Sequence, residues 1–155
     1  MRVYRLSRQK YVYDLTGKGA EIAGGRWNSI GIPALYTSSS KALCLVEILV
    51  HLQADIIPDD YYIVEIDIPA SIKIKTIDFS KLDKNWKNFP WVNLTQKAGD
   101  GFLESNKDLV LKVPSAIVDD EHNFLINPRH KDFSKIKIVK SSAYNFDKRL
   151  FANKH

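Results

Sequence analysis

Short runs of alternating or β-branched apolar residues recur along the chain and predict a protein built mainly of strands. The predicted strands are 2–6, 34–37, 61–68, 71–77, 109–113, 124–126, 135–140 and 144–147. Strand and helix patterns do not alternate regularly, which disfavours a doubly wound parallel fold. We therefore expect an α+β protein with mainly antiparallel, twisted sheets and helices packed on them.

The clearest helix follows the stretch TSSS at 37–40, whose hydroxyls can cap a helix N-terminus. The next segment, KALCLVEILVHLQ (41–53), is apolar except for one narrow stripe at helical spacing. The stripe consists of Ser40, Cys44, Glu47 and His51. We expect a mostly buried helix whose stripe faces either solvent or a polar cleft. A second helix is predicted over 91–104, weakened by Gly99 and Gly101.

Length and composition indicate a single globular domain, residues 1–155, because 45% of the residues are apolar and 26% are charged. No apolar run has the length of a signal peptide or a membrane span, so we expect a cytoplasmic protein without membrane contact. Cys44 lies in an apolar run and is expected to be a buried thiol. The net charge of +5 permits attraction to phosphates, but the lysines alternate with acidic residues as on a solvated surface.

The segment AGGRWNSIGIPALYTS (23–38) has no helical or strand period in its first half, yet it places an arginine directly after two glycines. Glycine lets a ligand approach the backbone closely, so this turn could present the guanidinium of Arg26 to a phosphate. In the alternative interpretation, the turn is flexible and Arg26 pairs with a surface acid. Tyr36 either stacks on a flat heterocycle or is a half-buried strand residue.

Two further polar residues have both an ordinary and a functional interpretation. Glu47 is a surface carboxylate if its helix stripe faces solvent, and a partly desolvated carboxylate suited to bind a substrate hydroxyl if the stripe faces a cleft. Ser115 follows a predicted strand and lacks the GxSxG context of a hydrolase nucleophile, so it is a turn serine or a polar ligand contact. The spacing of His122 disfavours a serine–histidine–aspartate triad, and no histidine spacing indicates a metal site.

The order of five segments is more specific than any one of them. GGRWNSIGIPALYTS, ALCLVEILVH, LKVPSAIV, NFLINPRH and FDKRL together resemble the signatures of the RES domain, a family of bacterial toxins of type II toxin–antitoxin pairs. The resemblance runs from about residue 4 to residue 150. It places Arg26, Glu47 and Ser115 at the arginine, glutamate and serine after which the family is named, and Tyr36 at the family's active-site tyrosine.

This resemblance implies an ADP-ribosyltransferase-like fold with a cleft that binds NAD and breaks its nicotinamide–ribose bond, by hydrolysis or phosphorolysis. NAD is then a consumed substrate and no cofactor is required, and its depletion causes growth arrest. The residues expected to contact NAD are Gly25, Arg26, Tyr36, Glu47, Ser115 and Asn127. No metal is expected.

The chemistry of the bond agrees with this resemblance and suggests a role for each residue. Glu47 would stabilise the oxocarbenium character that develops on the ribose, and Arg26 would bind the pyrophosphate. Tyr36 would form an aromatic wall for the departing nicotinamide. Ser115 would hydrogen-bond the nicotinamide ribose or its amide, and Asn127 would add a supporting contact.

The resemblance also implies a partner, a cognate Xre-type antitoxin that covers the active site in a hetero-oligomer. Three other functions stay open from the residues alone. The first is an ADP-ribosyltransferase that modifies a protein. The second is a nucleic-acid-binding or RNA-cleaving toxin, suggested by the aromatic and basic segment KLDKNWKNFPW (81–91), although we expect no direct nucleic-acid binding. The third is a catalytically silent module that binds its antitoxin through the same cleft.

Overall fold

A seven-stranded sheet with helices packed against it forms the part of the chain described by the computed structural model, residues 1–52, 59–90 and 93–151. The elements are β1 (Arg2–Arg8), α1 (Lys18–Ala23), β2 (Leu35–Ser38), α2 (Lys41–Leu49), β3 (Tyr61–Asp67), β4 (Ile74–Thr76), α3 (Asn93–Ser105), β5 (Val110–Pro114), β6 (His122–Ile126) and β7 (Lys137–Tyr144). Short 3-10 turns occur at Gln9–Tyr11, Phe79–Lys81, Phe133–Lys135 and Lys148–Leu150.

The strand order is β4-β5-β6-β2-β1-β3-β7, and every neighbouring pair is antiparallel except β4 and β5. This arrangement confirms the predicted α+β fold with mainly antiparallel strands. Within the described residues the strands form one sheet instead of several. None of the helices in these residues is long and apolar enough to cross a membrane.

Alternation along the central strands divides the core between the two faces of the sheet. Val110 of β5 pairs with Ile126 of β6, and both belong to the larger apolar cluster. The next pair, Leu111 and Leu125, belongs to a second cluster that includes Phe102 and Leu103 of α3. Helix α3 therefore covers the second cluster. This cluster also contains Trp27 from the loop between α1 and β2 (residues 24–34), called here the glycine-rich loop.

The predicted strand boundaries agree with the structure to within three residues, except at the last two predicted strands. The prediction of separate strands at 135–140 and 144–147 is wrong, because residues 137–144 form the single strand β7. The two serines and one alanine between the predicted runs pair in register with the centre of β3, namely Ser141 with Val64, Ser142 with Ile63 and Ala143 with Tyr62. Main-chain pairing continues through these residues although their side chains carry no strand signal.

Helix α2 begins where the sequence predicts, since the Oγ of Ser40 accepts a hydrogen bond from the amide of Leu43 at 3.1 Å. The helix ends at Leu49, earlier than the predicted 41–53, and residue 53 lies outside the described residues. The expectation that it is mostly buried is wrong. Leu43 and Cys44 are its buried residues, because one face alone packs on β1 and β2. Cys44 is buried as predicted, and burial raises the pKa of its thiol to about 12.

Helix α3 spans most of the predicted 91–104, of which residues 91 and 92 lie outside the described residues. Gly99, which was expected to weaken the helix, allows it to pack closely against the glycine-rich loop. A Cβ at this position would lie 1.8 Å from the carbonyl oxygen of Trp27. The six-residue helix α1 was not predicted, and it is bounded by Gly17 and Gly24, both with positive φ.

Candidate functional site

A cleft of about 810 Å³ lies beside α2 and is lined by the middle of β1, by all of β2 and by Asn123 of β6. Its volume is within the range of about 300–1,000 Å³ that is typical of small-molecule sites. Its polar lining includes Arg26, Tyr36, Glu47, His51, Lys87 and Asn123. Among the predicted residues, the structure brings Gly25, Arg26, Tyr36 and Glu47 to this cleft, and the stripe of α2 faces the cleft through Cys44, Glu47 and His51.

Asn28 organises the loop that carries Arg26. Its side chain is fully buried, and its Nδ2 donates to the carbonyls of Ala20 at 2.8 Å and Ile32 at 2.9 Å. The backbone closes a short bridge from the amide of Gly25 to the carbonyl of Asn28 at 2.9 Å. The Nε2 of Gln96 in α3 donates to the carbonyls of Gly25 at 3.1 Å and Asn28 at 3.3 Å. The loop is thus fixed from both sides, which disfavours the flexible-turn interpretation.

Gly25 is required by the close approach of Tyr36. A Cβ at Gly25 would lie 2.6 Å from the Tyr36 hydroxyl oxygen and 2.9 Å from the Oδ1 of Asn28. Both distances are shorter than van der Waals contact, so a side chain at this position would displace the tyrosine. The glycine therefore creates room for the aromatic wall of the cleft.

Tyr36 is held by its hydroxyl, which donates to the Oδ1 of Asn28 at 2.7 Å and accepts from the amide of Trp27 at 3.0 Å. Burial raises the pKa of this phenol well above its usual value. Since the hydroxyl has both a donor and an acceptor partner and stays neutral, proton transfer is not the role that this geometry favours. The ring lines the cleft and can stack on a planar group.

Glu47 is held by two donors on a single carboxylate oxygen. Its Oε1 accepts from the Oγ of Ser115 at 2.7 Å and from the Nδ2 of Asn123 at 2.5 Å. The described residues donate no hydrogen bond to its Oε2, and the side chain lines the cleft. The carboxylate is therefore oriented with one oxygen available to a ligand.

Ser115 lies behind Glu47 and is itself fixed. It is 2% exposed, and its Oγ accepts from the amides of Ile117 at 3.1 Å and Val118 at 3.0 Å. These two bonds direct the hydroxyl proton toward Glu47. The structure thus gives Ser115 a contact with the carboxylate, and Ser115 is not among the residues that line the cleft. Its expected contact with the nicotinamide ribose or its amide stays a prediction.

Asn123 is a site residue that the sequence analysis missed. It belongs to β6, where it pairs with Ser38 of β2 and Val113 of β5, so its backbone is held from both sides. Its Nδ2 must face Glu47, because the opposite amide orientation would place two oxygens in contact. No local signal marks this residue, since it contacts a carboxylate 76 positions away.

Arg26 reaches the cleft but is already bonded to the backbone of the segment that precedes Pro90. Its Nη1 donates to the carbonyls of Trp86 and, at 3.1 Å, Asn88, and its Nη2 donates to that of Lys87 at 3.2 Å. Its guanidinium carbon also lies 5.9 Å from the ring centre of Trp86. Burial lowers the pKa of Arg26, while the negative charge of Glu47 opposes this shift.

Asn127 lies away from the cleft, in a depression of about 200 Å³ that it shares with Asn106 and Arg129. Its side chain is buried and donates to the carbonyl of Leu103 and to the Oδ1 of Asn106, each at 2.8 Å. The structure therefore does not bring Asn127 together with the other predicted NAD contacts. Its bonds join β6 to the end of α3.

In the described parts of the chain, no group of three or more His, Cys, Asp or Glu side chains is arranged to hold a metal ion. His122 lies on β6 with its pKa lowered, first by burial and then by Lys112. The cleft thus combines Glu47 and its two donors with a tyrosine, several cations and a second acidic residue, Asp14.

Comparison with known proteins is consistent with this geometry. A sequence profile of the RES domain matches residues 2–147. Toxin Res of Photorhabdus laumondii is 40% identical over 152 residues, which cover 97% of each chain. The Prs ADP-ribosylating toxin of Sphingobium sp. is 38% identical over 141 residues, covering 88% of this chain and 86% of the relative.

The fold also resembles a chain in the crystal structure of the M. tuberculosis MbcT–MbcA toxin–antitoxin complex. The TM-score is 0.73 at 18% sequence identity, and the match covers 97% of this chain and 86% of that one. A similarity at this level of identity shows a shared fold. It agrees with the fold class predicted from the sequence.

Proposed function

The chain belongs to the RES domain family, and we propose that it is a toxin that cleaves the nicotinamide–ribose bond of NAD. The observation that carries this proposal is the orientation of Glu47, whose Oε1 accepts two hydrogen bonds while its side chain lines a cleft of about 810 Å³. A carboxylate held in this way is suited to stabilise positive charge on a sugar ring.

In the proposed reaction, the bond between the anomeric carbon and the nicotinamide nitrogen breaks, and its electron pair passes to the pyridinium ring. The ring thereby loses its positive charge while the ribose gains oxocarbenium character. Glu47, through Oε2, binds a ribose hydroxyl and faces this developing charge. The interaction strengthens as the charge develops, so it stabilises the transition state more than bound NAD.

The surrounding residues orient the two halves of the substrate. Tyr36 presents its ring to the nicotinamide, with its hydroxyl tied to Asn28. Ser115 and Asn123 act through Glu47, because both donate to its Oε1. Water or inorganic phosphate then adds to the anomeric carbon and, in the case of water, releases a proton.

This function is tested by incubating the purified protein with NAD, with and without inorganic phosphate, and identifying the products by mass spectrometry. The proposal predicts release of nicotinamide in a 1:1 ratio with a ribosyl product. Hydrolysis yields ADP-ribose, and phosphorolysis yields its anomeric phosphate ester when phosphate is present. NAD that stays intact with folded protein would contradict the proposal.

A second candidate shares the same bond cleavage but has a protein side chain as the acceptor. It is favoured by the similarity to the relative from Sphingobium that is called an ADP-ribosylating toxin. A labelled NAD analogue distinguishes the two functions, because label transferred to protein in a lysate indicates ADP-ribosylation. Label recovered in small molecules alone indicates NAD degradation.

The RNA-cleaving alternative finds little support in the segment that suggested it. The ring centre of Trp86 lies 6.1 Å from that of Trp27, and Lys87 forms an ion pair with Asp119. Trp91 lies outside the described residues. The ring of Trp86 is therefore packed against another side chain of the protein, so it does not present a free face for a stacked base.

The proposed partner is an Xre-type antitoxin that covers the cleft and forms a hetero-oligomer with the toxin. The resemblance in fold to a chain from a toxin–antitoxin complex supports an antitoxin partner. Co-expression with the product of an adjacent Xre-type gene should yield a complex in which NAD loss is inhibited. A complex with undiminished NAD loss would contradict binding over the cleft.

A further inference from the structure

Four cations line the cleft, and each has a partner. Arg5 donates to the carbonyl of Asp14, and Lys18 pairs with Glu21 at 2.5 Å. Arg26 donates to backbone carbonyls, and Lys87 pairs with Asp119. A dinucleotide carries two negative charges on its pyrophosphate, and a cation that turns fully toward them has to release its present partner.

How readily a cation makes this exchange depends on the group that it leaves, because that group must be solvated or bonded in another way. Three N–H groups of Arg26 are bonded to backbone carbonyls, and breaking these bonds would leave the carbonyls without their donor. Lys18 would leave Glu21, whose side chain is 21% exposed and would keep its ion pair with Arg129 at 3.3 Å. Lys87 would leave Asp119, whose side chain is 82% exposed and can be solvated fully.

Lys87 is also held in place at the cleft. Its carbonyl accepts from the Nη2 of Arg26 at 3.2 Å, and its Nζ lies 5.7 Å from the ring centre of Trp86. Trp86 in turn packs against Trp27 of the glycine-rich loop. The ammonium group of Lys87 therefore belongs to a segment whose backbone is hydrogen-bonded to Arg26 of the cleft.

We propose that Lys87 is the cation that binds the substrate's pyrophosphate, exchanging Asp119 for it, and that Arg26 positions the segment carrying Lys87. This inference rests on the proposed function and deepens it, since it assigns the phosphate-binding group of the same cleft. It shifts the expected pyrophosphate contact from Arg26 to a lysine that the family resemblance does not mark.

The inference predicts that two substitutions change the Kd for ADP-ribose in opposite directions. Lys87→Met removes the cation and should raise the Kd for ADP-ribose by about tenfold or more, the loss typical of a charge-assisted hydrogen bond. Asp119→Asn removes the competing carboxylate and should lower that Kd by about two- to fivefold, in line with an exposed ion pair. A purely structural ion pair predicts the reverse for Asp119→Asn, because both substitutions would loosen the cleft.

The test is isothermal titration calorimetry of each variant with ADP-ribose and, separately, with nicotinamide riboside, which lacks the pyrophosphate. Lys81→Met is the matched control, because it removes the same charge from the same segment at an 80% exposed side chain. Nicotinamide riboside should bind equally to all variants, and thermal unfolding checks that each one is folded.

Equal Kd values for ADP-ribose in Lys87→Met and Lys81→Met would overturn the inference. An unchanged or raised Kd for ADP-ribose in Asp119→Asn would overturn the proposed exchange of Asp119 for the pyrophosphate at Lys87. Binding of ADP-ribose needs no turnover, so these outcomes are separate from failure of the proposed function, which would appear as a wild-type protein that neither binds ADP-ribose nor consumes NAD.

The binding of ADP-ribose by a double variant tests the positioning role of Arg26. Arg26→Lys keeps the charge but loses the planar group that reaches three carbonyls. If Arg26 acts through Lys87, the double variant with Lys87→Met should bind ADP-ribose no more than about twofold more weakly than Lys87→Met alone. Fully multiplicative losses would show that Arg26 binds phosphate independently.

Discussion

Replacing Glu47 by glutamine changes the charge at the centre of the site with little change in shape. The glutamine carbonyl can accept the same two bonds that Oε1 receives, from Ser115 at 2.7 Å and from Asn123 at 2.5 Å. The amide nitrogen then takes the place of Oε2. A carboxylate oxygen that attracts the developing positive charge is thus replaced by a donor that repels it.

The size of the effect follows from this exchange. Removing one preorganised electrostatic contact to a transition state costs roughly 3 kcal/mol or more. At about 1.4 kcal/mol per factor of ten, kcat for NAD cleavage should fall by about 100- to 1,000-fold. KM should change much less, because the ground-state ribose can still bond the glutamine side chain.

The assay is the initial rate of nicotinamide release over a range of NAD concentrations, with thermal unfolding measured on the same preparations. Glu104→Gln is the control, since it makes the same chemical change at an exposed position of α3. It should leave both kinetic constants at wild-type values. A Glu47→Gln protein with wild-type kcat would refute the assigned role, and a loss explained by unfolding would show in the melting curve.

Three further predictions test the parts that support this carboxylate and its cleft. Asn123→Ala removes one of two donors and should lower kcat about ten- to a hundredfold with KM little changed, and wild-type kcat would contradict the positioning role. Gly25→Ala places a methyl group 2.6 Å from the Tyr36 hydroxyl oxygen and should destabilise the fold by about 1–3 kcal/mol in chemical denaturation. Gly19→Ala, where an added Cβ meets nothing within 4 Å, is its control and should not destabilise, so equal losses would contradict the steric argument. Burial raises the pKa of the Cys44 thiol to about 12, so at pH 8 a maleimide should label it slowly until denaturant is added, whereas rapid labelling of the folded protein would contradict its burial.

The local patterns were sufficient for most of the fold. Alternating apolar residues located the central strands, and the serine cap located the start of α2, because both signals arise from neighbouring residues. The polar centre of β7 was missed because its pairing with β3 is decided by the partner strand. The extent of burial of α2 was overestimated because a sequence of apolar residues does not reveal how many neighbours surround it.

The sequence likewise predicts some residues of the candidate site and misses others. Arg26, Tyr36 and Glu47 lie within 22 positions of each other, and the resemblance to a family marked all three. Asn123 and Lys87 carry no such mark. Asn123 contacts Glu47 across 76 positions, and the carbonyl of Lys87 accepts from Arg26 across 61 positions. Asn127 shows the opposite case, since a residue in a recognised segment makes structural contacts outside the cleft.

The most direct test of the whole account is a crystal structure of the Glu47→Gln variant with NAD bound. The account predicts the nicotinamide ring against Tyr36 and a hydroxyl of the adjoining ribose within about 2.6–3.2 Å of the residue 47 side chain. It also predicts the pyrophosphate beside Lys87. NAD bound at another surface, or bound here with its adenosine half against residue 47, would contradict it.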